Sequence, residues 1–160
     1  MVTGSLAHAD AALSDSERLA RELGNAFSLA TVLNLRATLA QLLDENDEAA
    51  RLLAESVDPS VGAGISWTFA YALPALASVA VRLGDLERAA TLFGAAASWT
   101  ADAGVDTGFP TSDALARRDL TVTRDGLGEE LFRAAWDAGR DTTAREVVEL
   151  AHELTLRARG

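Results

Sequence analysis

Three glycines placed 40 residues apart constrain the fold of this chain more than any other feature. Gly24, Gly64 and Gly104 each follow a stretch with helical periodicity, where a glycine can take the left-handed conformation that ends a helix. Since only 12 of the 160 residues are glycine, this agreement carries more weight than agreement among abundant alanines and leucines. The period predicts an array of helical repeats. Other positions in the same register are Ala9, Ala49 and Ala89; Leu13, Leu53 and Phe93; and Ser16, Ser56 and Ala96.

Each 40-residue unit is predicted to consist of two antiparallel helices, A and B. Small residues recur in the middle of helix A (Ala37 and Ala77) and near the start of helix B (Ala49 and Ala89), where paired helices approach closely. This spacing is typical of a tetratricopeptide-like repeat and predicts an all-α, right-handed solenoid. A plain helical bundle with accidental periodicity is the alternative. The predicted A helices run near 26–43 and 65–83, and the predicted B helices near 6–23, 46–57 and 86–102.

Composition supports the helical class and argues against several functions. The chain has 33 alanines and 24 leucines but only three prolines. A net charge of −10 argues against direct binding of nucleic acid, which needs a basic surface. The absence of cysteine excludes disulfides, thiolate zinc sites and cysteine nucleophiles. Because no long apolar stretch or signal-peptide pattern is present, we expect no membrane contact and a cytoplasmic location.

The repeat pattern stops at Gly104, which divides the single domain into helical repeats over 1–104 and capping helices over 105–160. The first B helix lacks a preceding A helix, as in a piece of a longer array. In the second part we expect a loop over 105–111 and then a helix that Ser112 caps and that Gly126 and Gly128 break. A short helix is expected over 129–138, ended by Gly139. The last helix is expected to begin with a capping box formed by Thr143 and Glu146.

Three segments resemble a known protein family. They are LARELGN (19–25), GDLERAATLFGAAASW (84–99) and LGEELFRAAWDAGRDTTAREVVELA (127–151), of which the last is the most specific. The resemblance, over residues 6 to 152, is to the C-terminal helical-repeat region of large ATPase-type bacterial transcription regulators (LuxR-type, maltose-activator-like and actinobacterial antibiotic-regulator-like proteins). It implies a sensor and interaction arm that restrains or releases ATPase and DNA-binding parts.

The chain departs from that family at identifiable positions. It has no lysine, so a Walker-type Gly-x-x-x-x-Gly-Lys loop is impossible, and no basic helix-turn-helix is visible. Ala40 and Ala80 stand where tetratricopeptide repeats usually carry an aromatic residue, and Pro74 falls inside a predicted A helix. These departures affect the expected curvature of the groove more than the repeat itself.

The A helices of a tetratricopeptide-like stack line its concave face, where polar side chains suit a protein or peptide partner or a small-molecule inducer. Pro74 removes one backbone hydrogen bond and releases the carbonyl of Ala70, just after the aromatic residues Trp67, Phe69 and Tyr71. These aromatics either line a kinked groove or fill the core. The candidate binding residues are Thr31, Asn34, Thr38, Gln41, Trp67, Tyr71 and Ser78.

The sequence predicts no catalytic residues, no metal site and no cofactor. His8 and His152 each lack a second histidine at metal-ligand spacing. The acidic run over 44–48, together with Glu55, partly matches a calcium loop, but Ala49 stands where that loop needs glycine. Acidic residues at the start of the next helix explain the run through the helix dipole.

These observations favour a non-catalytic regulatory or interaction module, most simply the ligand-sensing or protein-docking arm of a transcription regulator. The alternative is a stand-alone tetratricopeptide-like adaptor that binds a peptide or a partner helix. An enzyme would need a cluster of acid, base or nucleophile that these residues do not supply. Because the first B helix lacks a partner, self-association through the N-terminal end of the stack is a further expectation.

Overall fold

The computed structural model describes residues 2–58, 61, 66–104 and 110–160, and the secondary structure in these residues is helical throughout. The predicted all-α class is thereby confirmed. None of the described helices is both long and apolar enough to cross a membrane. The helices are α1 (Val2–Glu22), α2 (Ala26–Leu42), α3 (Asn46–Ser56), α4 (Ser66–Arg82), α5 (Leu86–Ala103), α6 (Pro110–Leu127), α7 (Glu129–Arg140) and α8 (Ala144–Ala158).

The helix boundaries recur with the spacing seen in the sequence. Helices α2 and α4 are both 17 residues long, and their first residues are 40 positions apart. The first residues of α3 and α5 are also 40 positions apart. The turns recur as well, because Gly24, Gly84 and Gly104 all have φ between 61° and 75°. Asp44 takes the same conformation (φ 58°), which short polar side chains tolerate better than most. Gly64, the remaining glycine of the predicted series, lies outside the described residues.

The first five helices form a succession in which each packs against the next, and α2 also touches α4. Equivalent leucines of the two A helices, Leu33 and Leu73, are fully buried. Four of the small residues that recur in the sequence are inaccessible to solvent. They are Ala37, Ala49, Ala77 and Ala89. These alanines are therefore part of the hydrophobic core.

An ion-pair network ties α1 to α2 and α3. Arg21 on α1 donates to Glu17 and to Glu55 on α3, each at 2.6 Å, and Arg36 on α2 also donates to Glu17. Burial acts to raise the pKa of Glu17, but the hydrogen bonds from Arg21 and Arg36 outweigh it and hold that pKa below its ordinary value. Glu17 is therefore ionised where the three helices meet.

Helices α5 and α7 approach so closely that two glycines are required. A Cβ atom on Gly94 would overlap the backbone carbonyl of Trp136, and one on Gly139 would overlap that of Thr91. Gly139 was expected to end its helix, but α7 continues to Arg140. That prediction is wrong, because Gly139 lies within the helix, where it allows the backbone of Thr91 to approach closely. Gly126 likewise lies inside α6 and does not break it.

The last helix does not simply cover the end of the succession. Helix α8 packs against α3 and α4, and the Thr155 hydroxyl shares its one hydrogen between the carbonyl of Ala151 in its own helix, at 3.0 Å, and that of Ala50 on α3, at 3.3 Å. Its buried face consists of Val147, Ala151 and Leu154. The capping box at the start of this helix is present as predicted. The C-terminal helix therefore packs against the third and fourth helices of the succession and not at one of its ends.

Candidate functional site

A small cavity lies between α2 and α4, on the face where the candidate binding residues were expected. Helix α2 contributes Asn34, Thr38 and Gln41, whose spacings of four and three residues place them on one side of the helix. Helix α4 contributes Tyr71 and Ser78, which are seven residues apart and so lie on one face as well. The cavity measures 20 Å³, enough for about one water-sized group. We call it the α2–α4 cavity.

The first turn of α6 lies over this cavity. Ser112 and Asp113 line it, and the Ser112 hydroxyl is 3.0 Å from that of Thr38. Ser112 was expected to cap the helix, but α6 begins at Pro110, which suits a first helical position because proline has no N–H to leave unpaired. The expectation of an open groove here is therefore incomplete, since α6 covers part of it.

Most polar groups around the cavity already have partners in the fold. The Gln41 side chain donates through Nε2 to the carbonyl of Ala75 on α4 at 2.8 Å, which joins the two helices. The Thr38 hydroxyl donates to the carbonyl of Asn34 at 3.1 Å, and Asn34 Nδ2 donates to the carbonyl of Ala30 at 2.9 Å. These bonds hold the cavity wall in a defined geometry.

Two buried atoms of the wall have no hydrogen-bond partner among the residues that the structure describes. They are Asn34 Oδ1 and Ser78 Oγ, one on each helix. Buried polar atoms are paired in the great majority of folded proteins, and an unpaired one costs about 1–3 kcal/mol. Both residues line the α2–α4 cavity, so each of the two helices brings one such atom to its wall.

The aromatic residues before Pro74 separate into two groups. Tyr71 lines the cavity and meets the edge of Trp67, with ring centroids 5.4 Å apart. Trp67 in turn packs on Phe27 of α2 at 4.5 Å. Phe69 points elsewhere and packs on Trp99 of α5 at 4.9 Å. Both readings of these aromatics therefore apply, since two lead to the cavity and one joins the core.

Five of the seven candidate residues line the cavity, and two do not. Trp67 reaches it only through Tyr71. The Thr31 hydroxyl donates to the carbonyl of Phe27 at 2.9 Å, and Thr31 borders a different, open depression near the α1–α2 turn. That depression is edged by the exposed side chains of Leu19, Leu23 and Phe27.

Sequence reasoning missed Ser112 and Asp113, because a contact between α2 and α6 joins residues 74 apart and has no periodic signal. A signal for the cavity itself was available in the repeat. Thr38 and Ser78 are 40 residues apart, so α2 and α4 each carry a hydroxyl at the same distance from their first residue. Matching polar residues at equivalent positions are a usable sign of a shared polar surface.

The histidines and acidic residues do not form a metal centre in the part of the chain that the structure describes. His8 on α1 and His152 on α8 are both exposed. Among the described residues, no group of three or more histidine, aspartate or glutamate side chains is placed to hold a metal ion. The acidic run continues directly into α3, with Ala49 packed in the core.

Comparisons with known proteins give no further information about the function of the α2–α4 cavity. No family model, curated protein or solved structure is significantly similar to the chain.

Proposed function

We propose that this protein is a non-catalytic regulatory or interaction module that binds a ligand or peptide at the α2–α4 face. In this proposal it serves as the sensing or docking arm of a bacterial transcription regulator built from tetratricopeptide-like repeats. The observation that carries the binding role is the pair of unpartnered buried atoms, Asn34 Oδ1 and Ser78 Oγ, around one small cavity.

The repeat assignment is supported by helix boundaries that recur after 40 residues and by turns that share a left-handed residue. The cavity lies between equivalent faces of the two A helices, as a groove ligand in such a stack would require. The placement of α8 against α3 and α4 is not a feature of a simple solenoid. We therefore propose a tetratricopeptide-like array that is closed by its last helix.

Selection from a library of random 12-residue peptides, panned on the immobilised full chain, tests the binding role. We expect enriched peptides whose affinity falls at least about tenfold in Asn34→Leu, because that variant removes the unpartnered acceptor. Thr31→Val is the matched control, since Thr31 is on the same helix but outside the cavity, and it should bind as the wild type does. Failure to enrich any peptide, together with no hit in a thermal-shift screen of small molecules, would contradict the proposal.

The regulator assignment needs a separate experiment. An immunoblot of the source cell with an antibody against this chain should show a band several times larger than 16.8 kDa. A band near 16.8 kDa would contradict the proposal that the chain is the arm of a larger regulator, and it would favour a stand-alone adaptor.

A further inference from the structure

The two unpartnered atoms of the α2–α4 cavity indicate which kind of group it accepts. Asn34 is 8% exposed and Ser78 is 3% exposed, so both are more than nine-tenths buried. Since the carbonyl of Ala30 can only accept, the bond it receives fixes the orientation of the Asn34 amide and leaves Oδ1 as the unused atom. Ser78 Oγ can accept as well as donate. A ligand must therefore donate hydrogen bonds to this site.

The rest of the described wall adds a carboxylate and no positive charge. Pro74 lines the cavity as well, and it has no N–H to donate. Asp113 contributes a carboxylate, and none of the described residues that line the cavity is basic. Gln41 uses one of its two amide N–H groups on the carbonyl of Ala75. The wall therefore favours a cation that donates hydrogen bonds.

The size of the cavity narrows the class of ligand further. A volume of 20 Å³ admits a head group of about the size of water or ammonium. A carboxylate or phosphate would meet acceptors and a negative charge, and an alcohol donates only one hydrogen bond. An ammonium group donates three, and Asn34, Ser78 and Asp113 carry acceptor oxygens among the residues that line the cavity.

We propose that the α2–α4 cavity binds the ammonium group of a primary amine, with the aliphatic chain running outward along Tyr71 and Trp67. This inference rests on the binding role proposed above and names the chemistry of its ligand. The aromatic rings supply an apolar track and, next to the head group, a favourable surface for a cation. The amine is either a free small molecule or the lysine side chain of a peptide.

NMR titration of the ¹⁵N-labelled full chain tests the proposal with n-butylammonium chloride as the probe. We expect the side-chain amide signals of Asn34 to shift and saturate. The neutral analogue n-butanol should need at least about tenfold higher concentration, because it lacks the charge-assisted hydrogen bonds. Nα-acetyl-lysine amide identifies the source: an equal response supports a peptide lysine, and a response to butylammonium alone supports a small amine.

Two variants separate binding from folding. Because Ser78 Oγ has no partner in the fold, Ser78→Ala should keep the melting temperature of the wild type within about 2 °C but weaken butylammonium binding about tenfold. Asn34→Leu should abolish the shifts at Ser78, and Thr31→Val should change nothing. Equal responses to butanol and butylammonium, unchanged binding in Ser78→Ala, or a crystal structure in saturating butylammonium that shows only water in the cavity would overturn the proposal.

The experiments also distinguish this inference from the proposed function. If selected peptides without lysine bind in an Asn34-dependent manner while amines do not, the binding role stands and the amine specificity is wrong. If neither peptides, small molecules nor amines bind, both are wrong.

Discussion

Helices α1 and α3 carry the same 40-residue pattern but are buried to different degrees. Leu53 and Ser56 of α3 are inaccessible to solvent. Their equivalents in α1 are Leu13, which is partly exposed, and Ser16, which is exposed. The two helices therefore present matching residues to different surroundings.

The difference comes from the neighbours of each helix. Helix α3 packs against α2, α4 and α8, whereas α1 packs mainly on α2 and meets solvent elsewhere. A helix with fewer packed neighbours keeps the sequence pattern but leaves more of its surface in contact with solvent. The comparison teaches that periodicity marks positions able to be buried, while the fold decides which of them are.

The largest loss of stability is expected when the equivalent leucines of α1 and α3 are shortened to alanine. Leu53→Ala should lower the free energy of unfolding by about 2–5 kcal/mol, because it opens a cavity in a fully buried site. Leu13→Ala should lower it by less than half as much, since that side chain is partly exposed. Urea unfolding measures both. Equal losses would mean that α1 is covered in solution, and light scattering would then show whether a second copy covers it.

A somewhat smaller loss of stability is expected where α5 packs closely against α7. Gly94→Ala should destabilise the fold by about 3 kcal/mol, because the added methyl overlaps a backbone carbonyl that cannot rotate away. Gly104→Ala is the control: it has φ 61° and open space around it, so about 1 kcal/mol is expected. If the two variants melt at the same temperature, the close packing of α5 against α7 does not stabilise the fold as we expect.

The smallest effect concerns the charges that attach α1. The pKa of Glu17 is lowered in the folded chain from an ordinary value of 4.5, so its ion pairs stabilise the fold above that pH, and this stabilisation is lost as the pH falls through the folded value. Between about pH 6 and about pH 3.5 the loss should be on the order of 0.5–1 kcal/mol, and Glu17→Gln should remove this part of the pH dependence. Glu22→Gln, which breaks an exposed pair with Arg18, is the control. Identical pH profiles for wild type and Glu17→Gln in urea unfolding would show that the network does not hold α1.

The helices and part of the cavity wall could be predicted because both depend on local order. Helical periodicity and the left-handed glycines placed α2, α4 and the starts of α3 and α5 within one or two residues. Asn34, Thr38 and Gln41 share a helix face by spacing alone, and their common position on the cavity follows from it.

Contacts between distant segments could not be predicted in the same way. The approach of Ser112 to Thr38 and of Thr155 to Ala50 depends on how α6 and α8 pack back on earlier helices. Gly139 was misread because a glycine that permits close packing and one that ends a helix look alike in a sequence. Only the packed structure distinguishes them.

The return of α8 to α3 has a consequence for how the molecule comes apart. In an open array each unit touches only its neighbours, so units can be lost from one end, or added, with a modest change in stability. Here α8 packs against α3 and α4, and Thr155 comes within 3.3 Å of Ala50, which lies 105 residues earlier in the chain. Unfolding should accordingly be one cooperative event, and a unit inserted between α3 and α8 would separate surfaces that now meet. The packing of α8 on α3 therefore opposes insertion in a way that contacts between neighbouring helices alone would not.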